Sequence, residues 1–222
     1  MTTETVAITS GDARLEGTLT RPEGAERGMV IFVHGSGPLD RNGNARGAPL
    51  NVFNTMATAL AAAGIASIRY DKRGCGASTG RYFEAGQGDL VNDLCGWITQ
   101  ARSLTQAPIY LCGHSEGTAL AAMAAERETV AGLILLCPYV TPGDDILRWQ
   151  AGQAQAMVRD MPGFKGRVAR AAGRIVGTPI QMQEKLIAKA RAATSGTFRL
   201  MGQKVPARWL RDFLGPQVLL IF

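Results

Sequence analysis

With 222 residues, 46% hydrophobic and 19% charged, the chain is long and apolar enough for one soluble globular domain with a sizeable core. Its first residues, Met-Thr-Thr-Glu-Thr, offer neither a basic n-region nor an apolar h-region, and no apolar run is long enough to span a bilayer. A cytoplasmic protein without a membrane span is therefore expected. Cys75, Cys95, Cys112 and Cys137 form no Cys-x-x-Cys pair and no cluster with histidine, which argues against a zinc site or a redox pair. Cys112 and Cys137 end apolar runs and are expected as buried thiols. The net charge of +6 is uneven: Gly143 to Asp212 holds 13 Lys and Arg against 5 Asp and Glu.

In chain order, Val6 and Ile8, then Leu15, Gly17 and Leu19, alternate with polar residues around Ser10-Gly11-Asp12, the pattern of a hairpin with one wet face. Met29 to Val33 is a continuous apolar run, as in a strand covered on both sides, and it leads into the Gly-rich loop His34-Gly35-Ser36-Gly37-Pro38. Such a loop, at the C-terminal end of a strand, can turn backbone N–H groups toward a ligand. Val52, Phe53, Met56, Ala57 and Leu60 recur at helical spacing before Gly64. Ile65 to Ile68 predicts a second buried strand, followed by the charged loop Tyr70-Asp71-Lys72-Arg73-Gly74-Cys75-Gly76-Ala77-Ser78. Leu90, Val91, Leu94, Trp97, Ile98 and Ala101 then make one helical stripe.

Cys112-Gly113-His114-Ser115-Glu116-Gly117 lies between the apolar run Pro108 to Leu111 and the alanine-rich segment Thr118 to Ala125. A Gly-x-Ser-x-Gly between strand and helix is a nucleophile elbow, in which small neighbours permit close approach and the serine is held on a strained turn. The helix that follows adds its N-terminal amides and dipole beside the hydroxyl, which suits an oxyanion. The competing reading is a chance pentapeptide in a Gly-rich chain. Val130 to Leu136 reads as another buried strand. Alternation of strand and helix through this stretch implies an α/β fold with a mostly parallel sheet covered on both faces.

Residues 141–214 show no strand-like run, and their helical patterns break at Pro162-Gly163 and Gly177-Thr178-Pro179. Thr178 and Pro179 have the character of an N-cap and first helical position, followed by Met182, Leu186 and Ala190 on one face. A helical insertion between core strands is expected as a cap over the site. Gln150, Gln153, Met157 and Met161 fit either its underside or packing among cap helices. Val218 to Phe222 is a short apolar run expected as a final strand.

Three co-ordered blocks resemble the esterase-like branch of the α/β-hydrolase superfamily. These are His34 to Pro38 with Asp40-Arg41-Asn42-Gly43-Asn44, then Tyr70-Asp71-Lys72-Arg73-Gly74-x-Gly76-x-Ser78, and Gly113 to Gly117. The resemblance implies an α/β-hydrolase fold, with residues 1–140 as the N-terminal part of the core, 141–214 as a helical cap and 215–222 as the start of the C-terminal part. It implies Ser115 as nucleophile and the backbone amides of Ser36 and Glu116 as the oxyanion donors; the side chains of these two residues have no assigned role and read as surface groups. Asp71 and Arg73 resemble the family's structural turn and are expected to brace a loop. His34 and His114 sit inside backbone motifs, where an imidazole usually braces by hydrogen bonding rather than acting as the base.

The chain has no other histidine. The family order is serine, acid, histidine, with the last two after the seventh and eighth strands. On that resemblance Val218 to Phe222 is the seventh strand, and the usual acid, the base, the eighth strand and the closing helix are missing, so a C-terminally incomplete chain is expected. Asp144 and Asp145 stand where some relatives carry the acid, and Asp212 precedes the last strand at the wrong end of the sheet. The expected chemistry is serine ester hydrolysis through an acyl-enzyme, weak in this chain, with no metal or organic cofactor. Two alternatives are a peptidase of the same fold and a non-catalytic ligand-binding protein. The expected partner is a small-molecule ester; the basic insertion fits an anionic substrate or surface, or simply a solvated helix face. Nucleic acid is not expected, because no recognition pattern accompanies the charge. Self-association through an open C-terminal strand edge is expected.

Overall fold

The computed structural model describes residues 1–45 and 47–215. Alternating apolar residues fold the N-terminus into β1 (Thr2–Ser10) and β2 (Ala13–Arg21), antiparallel and in register from Thr2 opposite Arg21 to Ser10 opposite Ala13. The two-residue turn needs left-handed backbone, which Gly11 supplies at φ 57°. Ala13, Leu15 and Leu19 of β2 are buried while Arg14, Glu16 and Thr18 between them stay wetter, as a sheet with one solvated face requires.

From there the chain alternates strand and helix. It runs through β3 (Gly28–Val33), α1 (Val52–Ala62), β4 (Ile65–Tyr70), α2 (Gln87–Leu104), β5 (Ile109–His114), α3 (Glu116–Ala125) and β6 (Gly132–Leu136). The six strands lie in the order β1-β2-β4-β3-β5-β6, with β4, β3, β5 and β6 parallel and the hairpin antiparallel beside β4. All six residues of β3 are buried, which explains its unbroken apolar sequence. Val30 and Phe32 turn to one face, where Phe53 and Ala57 of α1 and Cys112 of β5 meet them; the Phe32 and Phe53 rings stack at 4.9 Å. On α2 the stripe Leu90, Val91, Leu94, Trp97, Ile98 and Ala101 is buried throughout, and Trp97 stacks on Tyr70 of β4. These strands and helices belong to one compact unit, Met1–Tyr139.

Two expectations for this unit need correction. β6 is shorter than the run from Val130 and only half-buried, with Ile134 exposed, because it ends the sheet among the described residues and is paired by β5 alone. Cys137, expected buried, is exposed: the backbone takes φ 54° there and leaves the sheet.

The second unit begins at Val140. It contains α4 (Gly143–Asp160), α5 (Gly163–Val176), α6 (Pro179–Ala192), the hairpin β7 (Thr197–Leu200) and β8 (Gln203–Pro206), and α7 (Ala207–Leu214). The breaks at Pro162-Gly163 and Gly177-Thr178-Pro179 fall where the sequence places them. Thr178 caps α6: its hydroxyl accepts from Gln181 N at 3.3 Å, and Gln181 Oε1 accepts from Thr178 N at 3.0 Å. The hairpin overturns the expectation that 141–214 holds no strand. Thr197-Phe198-Arg199-Leu200 alternates, and Met201 and Gly202, both at positive φ, make its tight turn. Asp212 lies within α7. The expected strand Val218 to Phe222, with the edge inferred from it, lies outside the described residues. Among those described, no helix is long and apolar enough to cross a membrane.

Candidate active site

The strand order creates the site. From β3 the chain passes to β4 on one side, then returns to β5 on the other, so the loops after β3 and β5 diverge and leave a crevice at their C-terminal ends. Ser115 stands there, between the last residue of β5 and the first of α3, with φ 52° and ψ −120°. A non-glycine residue in that region carries roughly 1–3 kcal/mol of strain and persists only where its surroundings enforce it. Here they do. Ser115 N donates to Leu136 O at 2.9 Å, and Ser115 O accepts from Thr118 N at 2.9 Å and from Thr118 Oγ1 at 2.7 Å.

The flanking glycines are required by distance. A Cβ on Gly113 would lie 2.8 Å from Thr118 Cα, and one on Gly117 would lie 2.7 Å from His34 O, besides closer clashes with Gly117 O and Val33 O. A Cβ on Gly35 would sit 3.2 Å from His114 Nδ1 and 3.3 Å from Ser115 Cβ, so the loop after β3 runs directly beside the serine. Gly35 is buried, Ser36 exposed and Ser115 half-buried.

Beneath this loop is a pair that the sequence reading did not single out. Lys72, 3% exposed, donates from Nζ to Gly35 O at 2.6 Å and Gly37 O at 3.2 Å, and its ammonium lies 3.7 Å from Glu116 Oε2. Burial pulls the Lys72 pKa down, opposed by the charge of Glu116. Glu116 was expected to carry a surface carboxylate; it is fully buried, because the ammonium that holds the loop needs a counter-charge. One lysine thus ties the carbonyls on either side of Ser36 to the residue after Ser115.

His34 is fully buried, and its Nε2 lies 3.0 Å from Asp40 O. A carbonyl only accepts, so Nε2 carries the hydrogen and Nδ1 the lone pair. The ring meets Phe53 and Tyr70 edge-on, and burial together with Lys72 lowers its pKa to about 3. It is a neutral brace, as its place in the motif suggested. His114 is exposed. Among the described residues no hydrogen bond joins Ser115 Oγ to either imidazole.

The remaining motif charges hold backbone amides or one another. The Asp71 carboxylate accepts from Arg41 N (2.7 Å), Arg41 Nε (3.1 Å), Arg41 Nη2 (2.6 Å) and Ala77 N (3.0 Å), while Ser78 Oγ donates to Asp71 O at 2.8 Å. Arg41 also reaches Thr18 and Glu16. Arg73 forks onto Asp93 at 2.8 and 2.6 Å. Asp40 Oδ1 accepts from the amides of Asn42 and Asn44. Arg41, quoted in the sequence only as part of a motif block, and Asp93, unremarked there, are the partners of Asp71 and Arg73. In the second unit Asp144 pairs with Arg148 at 2.8 Å and Arg191 at 3.1 Å.

A mainly parallel sheet with an N-terminal hairpin, and a strained serine at its switch point, make up the architecture of the α/β-hydrolase fold. Residues 24–215 match the family described as serine aminopeptidase, S33, and the chain belongs to that family. Esterase EstD of Thermotoga maritima is 26% identical over 145 residues, which are 64% of this chain and 35% of that protein, so the chain spans 35% of the length of this curated relative. An alpha-beta serine hydrolase homologue from Coxiella burnetii is 30% identical over 63% of this chain and 65% of its own, with a TM-score of 0.50. The α/β hydrolase GrgF from Penicillium sp. sh18 covers 98% of this chain and 78% of its own at a TM-score of 0.58; at 17% identity that likeness is one of fold.

Proposed function

We propose that Ser115 is the nucleophile of a carboxylic-ester hydrolase working through an acyl-enzyme, and the observation that carries this is the enforced φ of 52° at Ser115 beside Gly35. In this reading Oγ attacks the ester carbonyl, the carbonyl oxygen becomes an oxyanion facing the amides of Ser36 and Glu116, and the alcohol leaves with a proton. Lys72 is a positioning residue: by holding Gly35 O and Gly37 O it fixes the peptide planes that aim the Ser36 amide. The Oγ proton needs a base. His34 is fully buried with its pKa lowered to about 3, which makes it a weak base, and among the described residues neither imidazole is hydrogen-bonded to the serine, so the 222-residue chain alone is expected to turn over esters only slightly. Enzymes of this type without a triad member retain roughly 10³ to 10⁴ of acceleration over water from the oxyanion hole and binding.

The family's description as serine aminopeptidase favours a second reading, amide hydrolysis by the same constellation; the name of the Thermotoga relative, an esterase, favours esters. Matched p-nitrophenyl esters and p-nitroanilides separate them. The ester reading expects a small excess over buffer on the esters alone, removed by Ser115→Ala. A larger excess on the anilides supports the peptidase, and a rate unchanged in Ser115→Ala refutes both.

A further inference from the structure

Helix α5 reads Gly163-Phe164-Lys165-Gly166-Arg167-Val168-Ala169-Arg170-Ala171-Ala172-Gly173-Arg174-Ile175-Val176. At about 100° per residue, Phe164, Val168, Ala171 and Ile175 share one line along the helix, and Gly166, Ala169 and Gly173 share the opposite one. An ordinary amphipathic helix turns its large apolar line inward. This one is reversed. Gly166 is its buried residue, where a Cβ would come within 2.8 Å of the Met161 carbonyl carbon, while Phe164 is 72% exposed, Val168 49% and Ile175 85%. Small residues let α5 sit close on its neighbours in the second unit, and that packing sends the large apolar residues outward.

The charges follow the same geometry. Lys165 flanks the apolar line on one side and Arg167 and Arg174 flank it on the other; all three are exposed, and among the described residues none forms an ion pair. Arg170 turns inward and donates to the carbonyls of Val158, Arg159 and Met161, closing the end of α4. The helix contains no acidic residue.

We propose that α5 docks on an anionic lipid bilayer, lying in the interfacial plane with Phe164, Val168 and Ile175 among the acyl chains and Lys165, Arg167 and Arg174 at the phosphates. An apolar ridge with cations along both flanks matches a surface that is negative at the level of the head groups and apolar just beneath. Nucleic acid would satisfy the cations but press Phe164 and Ile175 against phosphate, and a second copy of the helix would set like charges against one another.

Flotation of the full chain with extruded vesicles tests this. With equal parts phosphatidylcholine and phosphatidylglycerol, binding at low salt should exceed that to phosphatidylcholine alone by roughly tenfold and fall as salt is raised. Phe164→Glu with Ile175→Glu should reduce binding at least about tenfold, since both side chains are the inserted ones. Lys165→Gln with Arg167→Gln and Arg174→Gln should remove the preference for anionic vesicles. Ser115→Ala should bind as the wild type does, which separates this surface from the chemistry proposed for the serine. No flotation with anionic vesicles at low salt overturns the proposal. So does binding undiminished in the Glu variant, or concentration-dependent association that the Glu variant abolishes while the wild type ignores lipid, which assigns the face to a second copy. DNA retardation without vesicle binding overturns it as well.

Discussion

The two units use charge in opposite ways. In Met1–Tyr139 the charges of the motif loops are buried and each has a fixed partner: Asp71 holds the backbone of Arg41 and Ala77, Arg73 is forked onto the Asp93 carboxylate, and Lys72 clamps the loop beside Ser115. From Val140 onward the pairs are solvated, as with Arg148 between Asp144 and Glu184, and close packing is left to small residues such as Gly166. A buried ion pair is weak as a source of net stability but costly to break, so it enforces one geometry. A surface pair enforces little. Positional precision is therefore concentrated around Ser115, while the second unit carries exposed chemistry on simple helices.

The sharpest way to break that contrast is to add one methyl group to each unit. Gly117→Ala drives a Cβ against the carbonyls of Val33 and His34, and should cost roughly 4 kcal/mol or more, or prevent folding. Gly152→Ala, within α4 and with nothing inside 4 Å, should be neutral or stabilise by about 0.5–1 kcal/mol. Melting of both variants checks this; equal effects would contradict the contrast. Next in size, Asp71→Ala strips four donors of a buried carboxylate and should cost about 3–5 kcal/mol, whereas Asp144→Ala should cost at most about 1 kcal/mol because its partners remain solvated. Urea titrations of the pair measure the gap directly.

A third, smaller effect comes from His34. Its folded pKa, about 3, lies below the ordinary 6.5, so between those values the unfolded chain binds a proton that the folded chain does not. Stability is full above pH 6.5 and falls as the pH drops toward 3, by roughly 2 kcal/mol between pH 7 and pH 5 at about 1.36 kcal/mol per unit. Urea unfolding at the two pH values gives the number. A flat profile would mean that the imidazole is solvated or carries a charged partner.

Much of the first unit was legible because single residues were forced by distance or period. Gly113 and Gly117 stand where no Cβ fits, and the stripe from Leu90 to Ala101 has one buried face. Partnerships across the chain were not legible. Nothing near Lys72 in sequence points to Glu116, and nothing near Asp71 points to Arg41; both pairs form only when parallel strands bring distant loops to one edge of the sheet. β7 and β8 escaped because four-residue strands containing Arg199 and Lys204 give a weak apolar signal, although Met201-Gly202 marked the turn. Cys137 was misplaced because an apolar run does not reveal where a strand ends and the backbone turns out.

The central proposal, that Ser115 is a preformed nucleophile with no hydrogen-bonded base among the described residues, is tested most directly by chemical rescue. Hydrolysis of p-nitrophenyl butyrate would be followed for the wild type and for Ser115→Ala over a series of imidazole concentrations, and the difference between the two taken as the serine's own contribution. The account predicts a difference that is small without imidazole and rises with its free-base form, since the added ring can take the Oγ proton that neither His34 nor His114 receives. A difference that is zero at every imidazole concentration would contradict Ser115 as nucleophile. A large difference with no imidazole present would place the base among this chain's own two histidines and contradict the reading of His34 as a brace and His114 as a bystander.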